Sequence, residues 1–172
     1  TLLVGGAATA PVRVSVTPEQ VARDSLADGV AVTERWTVAL EHPMVVWQGE
    51  APDGVQISLE WNVDNGSTAT APECVPAADR HGVDLRWPGR PFRLIIEVEG
   101  GTLDSSTDGS VSRIAVQALG ACRVRLTGAA DESDLERSRQ MIARRGFAGL
   151  LRQRADHAAE LASYATSIEA PE

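Results

Sequence analysis

Alternation with a period of two runs through most of this chain. From Val30 to Glu41, Val30, Val32, Trp36, Val38 and Leu40 share one side, and Ala31, Thr33, Arg35, Thr37 and Glu41 share the other. From Val55 to Val63 the pattern repeats, with Ile57, Leu59 and Trp61 opposite Gln56, Ser58, Glu60 and Asn62. Successive side chains of an extended strand point to opposite faces, so such runs predict half-buried strands of an antiparallel sheet with one apolar face. Phe92, Leu94, Ile96 and Val98 keep one parity, as do Ile114, Val116, Ala118, Cys122, Val124 and Leu126, with Gly120 marking a bend. Pro52-Asp53-Gly54 predicts a tight turn, and Pro88-Gly89 predicts a type II corner of a hairpin.

Two segments carry helix signals. Val12, Val14 and Val16 form a short strand, after which Thr17-Pro18-Glu19-Gln20 offers a capping hydroxyl, a proline at the first helical position and a capping-box glutamine. This predicts a short helix over 18–28, closed by Gly29. At the other end Asp131, Glu132, Asp134 and Glu136 cluster where a helix N-terminus favours negative charge. Leu135, Ile142, Phe147, Leu150, Leu161, Tyr164 and Ile168 fall on one helical arc, and Arg137, Arg144, Arg145 and Arg152 on the opposite one. The spacing predicts an amphipathic helix with a kink or break at Gly146 or Gly149.

The expected fold is therefore α+β: a single twisted antiparallel sheet of six to seven strands, with the long C-terminal helix covering its apolar face. An all-β sandwich with a C-terminal helical tail is the alternative. The organisation reads as one domain, with a flexible N-terminus over 1–11, a β domain over 12–128 that includes the short helix 18–28, and a helical segment over 129–169. In element order the chain resembles the helix-grip arrangement of the START-related proteins. That resemblance implies a curved sheet wrapped around a terminal helix and an apolar ligand cavity.

Charge narrows the functional classes. All sixteen basic residues are arginine, so any mechanism needing a lysine of this chain is excluded. A net charge of -8 argues against general adhesion to nucleic acid or anionic membrane, and no apolar run approaches the ~20 residues of a membrane span. Yet residues 137–154 hold six arginines and no acid, leaving -14 for the rest of the chain. Cys74 and Cys122 are too few for a disulfide framework and lack metal spacing, although one bridge between them is open. The opening residues lack a basic leader region, so the expected location is cytoplasmic, with secretion left open by the small residues before Pro11.

No stretch carries a diagnostic catalytic motif. Asp104, Ser106, Asp108 and Gly109 fit the start of a calcium-loop template, but Ala115 stands where the closing glutamate is required, and no metal site is expected. Asp79, His81 and Asp84, beside a long aperiodic stretch over 65–82, are the candidates for general-base or metal-assisted hydrolysis. Trp36, Trp61 and Trp87 are the candidates for lining an apolar pocket or a stacking surface for sugars. Arg137, Arg144, Arg145 and Arg152 are the candidates for meeting a partner.

The favoured expectation is a non-enzymatic interaction or self-assembly module that presents an arginine-rich helix to a protein partner or a second copy. A small-molecule protein or enzyme with an apolar cavity between sheet and helix is the alternative, and a hydrolase around Asp79, His81 and Asp84 the third. No cofactor is expected, and nucleic acid is not the expected partner.

Overall fold

The computed structural model describes residues 1–64, 71–108 and 111–165. Eleven strands, β1 (Leu2–Val4), β2 (Ala7–Ala8), β3 (Ala10–Val16), β4 (Val21–Ala27), β5 (Val30–Val38), β6 (Met44–Glu50), β7 (Gln56–Asp64), β8 (Glu73–Pro76), β9 (Gly82–Arg86), β10 (Arg93–Asp108) and β11 (Val111–Ala129), precede one helix, α1 (Glu132–Ala165). The strands make one large, nearly closed antiparallel sheet in the order β2-β1-β7-β11-β6-β5-β4-β3, with β10 also on β11 and β9 and β8 beyond it.

This corrects the expected α+β sheet of six to seven strands in two respects. The first is the helix over 18–28, which is strand β4. The cap-like bond does form, Gln20 N donating to Thr17 Oγ1 at 3.3 Å, but Thr17 N donates back to Gln20 O at 2.9 Å and closes a hairpin with Val16 opposite Val21. On its other edge β4 pairs β5 from Ala27–Val30 to Val21–Trp36. The turn there is Asp28-Gly29, with φ of 48° and 81°. Positive φ at both corners is the I′ geometry that matches strand twist, and Asp-Gly is among its favoured sequences. Hairpin partners on both edges of β4 take up its backbone groups without any helix, apart from the irregularity at Pro11 opposite Ser25.

The second correction concerns what covers the apolar face. The main core joins Leu2, Leu59 and Val116 from one half of the sheet to Val32, Trp47 and Val124 from the other, and no residue of α1 belongs to it. The sheet curls over and buries its own apolar side. The device is β11, nineteen residues long, which pairs β7 over 111–119 and β6 over 121–127. Between those partners Gly120 takes φ 74°, donating to Val55 O at 2.9 Å and accepting from Ala51 N at 2.7 Å. Opposite it Gly100 has φ 81°, and a Cβ there would stand 2.7 Å from the Ala121 carbonyl. A glycine is required at this bend both for its backbone and for its bareness. The described strands form one continuous sheet, so the alternative of a sandwich with a free helical tail does not hold either.

The helix packs on the outer surface instead. Met141 and Leu150, with Ile142 and Phe147, cover Ala39, Met44 and Val46, while Leu135 sits on Ile95 and Ala129. α1 is broken at Gly146 (φ 62°, ψ -179°). The helix-grip arrangement is thereby excluded, since α1 is not enclosed by the sheet and no N-terminal helix exists among the described residues. Residues 1–11 carry β1 and β2 and begin β3, with Leu2 and Val4 buried. The polar run after Gly100 continues β10, with Leu103 buried opposite Val116 and its acids exposed. Within the stretch expected to lack structure, 65–70 lies outside the described residues and 73–76 is β8.

Candidate functional site

Asp79, His81 and Asp84 line one cleft of about 410 Å³ between β8, β9, β10 and the start of α1, with no hydrogen bond between their side chains among the described residues. Asp79 Oδ1 accepts from the His81 backbone N at 3.0 Å, an ordinary turn bond. The His81 ring is held by Gly101, its Nδ1 donating to the carbonyl at 2.9 Å, and no carboxylate among the described residues orients it. Asp84 is occupied by arginines.

Those arginines belong to a series of alternating charges that fixes α1 to the sheet. Asp84 pairs with Arg86 at 2.7 Å and Arg93 at 2.6 Å, and Arg93 reaches Glu132 at 2.8 Å. Arg139 lies 3.9 Å from Glu132 and 3.3 Å from Glu97, which Arg125 holds at 2.9 Å. For Arg93, partial burial works to lower the guanidinium pKa, but the bonds to Asp84 and Glu132 outweigh it and the net shift is upward. In this cleft the carboxylates of Asp84, Glu97 and Glu132 are paired with Arg86, Arg93, Arg125 and Arg139, and these pairs tie the start of α1 to the sheet. Among the described residues no three His, Cys, Asp or Glu side chains gather as a metal-ligating group.

Arg137, Arg144, Arg145 and Arg152 are all exposed on α1. Arg137 pairs with Asp134 on its own helix, and Arg145 lies 3.6 Å from Glu41. Arg144 and Arg152 make no ion pair among the described residues. Arg139 and Arg154, from the same run, turn inward to the body: Arg154 Nη2 donates to Pro18 O at 3.1 Å, placing the second half of α1 beside the β3–β4 turn.

Trp36 and Trp61 come together, and Trp87 does not; it packs on Phe92 at the hairpin tip, 5.8 Å between ring centroids. Trp36 and Trp61 line a cleft of about 380 Å³ between the two halves of the curled sheet, with Trp47, Arg23 and Glu34. Glu34 is 1% exposed. Arg23 Nε donates to Glu34 Oε2 across the β4–β5 ladder, and Trp47 Nε1 donates to Oε1 at 3.2 Å. Arg23 also lies over the Trp36 ring, 5.6 Å from its centroid. Sequence reasoning missed this charge pair. Glu34 has the parity of Val32 and Trp36, so an acid was visible on the apolar face, but its partner Arg23 was hidden inside the supposed helix. Cys74 and Cys122 are both free thiols, and burial pushes Cys122 up to about 11.

No protein-family model and no curated protein matches this chain. Among solved structures it is similar to a chain described as a kojibiose phosphorylase from the human microbiome, with a TM-score of 0.48 and 9% identity over 80% of this chain. This chain spans only 22% of that one. A likeness of this size says nothing of what the present chain binds or does. None of the described helices is long and apolar enough to cross a membrane.

Proposed function

We propose that this chain is a non-enzymatic self-association module, in which two copies meet along the open edge of β3 beside the arginine face of α1. The observation that carries the reading is that edge. β3 pairs only with β4 among the described residues, so one row of its N–H and C=O groups is unmatched. Val12, Val14 and Val16 on it are 66%, 59% and 74% exposed. Single-chain proteins blunt such edges with charge, proline or a bulge, and on β3 these are confined to its first half, Pro11, Arg13 and the register shift between them, which leaves Val14, Ser15 and Val16 open.

A second copy fits what is present. Two antiparallel edges related by a two-fold axis extend each other's ladders with the same residues on both sides. The Arg154 to Pro18 contact sets the second half of α1, with the exposed Arg152, beside the β3–β4 turn, and each copy's body, at -14, is the complement of the +6 segment of the other. The test is sedimentation equilibrium from micromolar to millimolar concentration at two salt levels. A dimer that weakens with salt, and that Val14→Lys with Val16→Lys or Arg144→Glu with Arg152→Glu turns into a monomer, supports the reading. A wild-type monomer throughout, or a chain that pairs only with a different protein, overturns it.

A further inference from the structure

We infer that the cleft between the sheet halves is a binding site for a neutral, polyhydroxylated ring, a mono- or disaccharide, held by Trp36 and Trp61 over the Arg23–Glu34 pair. This goes beyond self-association and does not depend on it. The cleft, at about 380 Å³, is within the usual range of small-molecule pockets, and its lining mixes indole faces and Leu59 with a few placed polar groups. Three of the chain's four tryptophans line this cleft, from the consecutive strands β5, β6 and β7.

The chemistry of the lining selects the ligand class. Glu34 is already neutralised by Arg23, so a charged ligand would have to displace one of them and leave the other buried without its partner. A neutral ligand meets no such cost. The π-faces of Trp36 and Trp61 carry the negative end of the indole quadrupole and suit the weakly positive C–H face of a sugar ring. Hydroxyls need donors, and these are at hand. Arg23 spends Nε and Nη2 on Glu34 and is 33% exposed, which leaves further guanidinium N–H groups toward the opening. Neither Trp36 nor Trp61 gives its indole N–H to another described residue. Trp47 holds the floor fixed, since its own N–H is committed to Glu34.

The experiment titrates the full chain with glucose and with maltose, following tryptophan emission and isothermal heat, with adenosine and betaine as probes for a base-stacking or cation-binding site. The expected result is a saturable emission shift with the sugars. Trp61→Ala or Trp36→Ala should lower affinity by about tenfold, the scale of one aromatic contact. Trp87→Ala, at the distant hairpin tip, should leave it unchanged. Because Glu34→Ala could unfold the core, Glu34→Gln is the second variant and should weaken the sugars while keeping a cooperative urea transition. No saturable response to either sugar overturns the inference. So does a response that survives both Trp36→Ala and Trp61→Ala, or saturation by adenosine or betaine alone.

Discussion

Gly49→Ala should be among the most damaging single-methyl additions in this protein. Gly49 lies two residues after Trp47 on the same face of β6, and the buried indole folds back along the strand over it. A Cβ at Gly49 would stand 2.8 Å from Cζ2, 3.1 Å from Cζ3 and nearer still to Cη2 of that ring. The ring has nowhere to retreat, because it is part of the main core and its N–H is bonded to Glu34 at 3.2 Å. Overpacking a close-packed core costs about 1–3 kcal/mol, and losing a bond to a buried carboxylate about 1.5–3 kcal/mol. Replacing glycine also stiffens the unfolded chain, which offsets about 0.4–1 kcal/mol. The net expectation is about 2–5 kcal/mol of lost stability, read from urea unfolding, with Tm falling by about 2–4 °C per kcal/mol. The decisive assay is a double-mutant cycle with Trp47→Phe, which removes the colliding ring atoms. The two substitutions should then be less than additive by at least about 1 kcal/mol. A loss below about 0.5 kcal/mol for Gly49→Ala, or strict additivity with Trp47→Phe, would refute the packing argument.

Two further predictions concern α1. Asp131 Oδ1 accepts from Asp134 N at 2.9 Å and Ser133 Oγ at 2.8 Å, and these bonds hold its carboxyl below the ordinary value. A lowered folded-state pKa contributes stability above the ordinary value that is lost as pH falls through the lowered one. Acidification through that window should therefore weaken the wild type more than Asp131→Asn, which keeps the cap but cannot titrate; parallel pH profiles of urea stability would contradict this. At Gly146 a substitution meets no neighbouring atom within 4 Å, but φ 62° with ψ near 180° is open essentially to glycine alone. Gly146→Ala should cost about 1–3 kcal/mol in urea unfolding through backbone strain alone, and a neutral result would show that the break in α1 is not needed to seat Phe147 and Leu150.

The candidate sites were legible in proportion to how local their causes are. The exposed placement of Arg144 and Arg152 follows from helical period and charge, and the strength of a tryptophan on an apolar strand face marked Trp36 and Trp61 as residues to watch. That Trp47 joins them depends on the register of the β5–β6 hairpin, which sets it opposite Trp36, and that Trp87 stands apart depends on how the sheet is laid together. Asp79, His81 and Asp84 are neighbours in sequence and line one cleft, but the groups that occupy them, the Gly101 carbonyl, Arg86 and Arg93, decide their chemistry. For Asp84 and His81 no spacing in the sequence carries that information.

Alternation, glycine placement and turn chemistry sufficed to mark β3, β5, β7, the first part of β10 and β11, the Pro88-Gly89 corner, where Arg90 N donates to Trp87 O at 3.0 Å, and the break in the terminal helix. These rest on sterics and solvation within a few residues. The choice at 18–28 was made elsewhere: the same Thr-Pro-Glu-Gln that can start a helix closes a hairpin once β5 and β3 offer their edges to β4. The layer over the apolar face was likewise decided in three dimensions, because an apolar stripe specifies that something must cover it without naming the cover. Here β11, bent at Gly120 and shared by β6 and β7, brings the sheet back over itself and leaves α1 the outer surface.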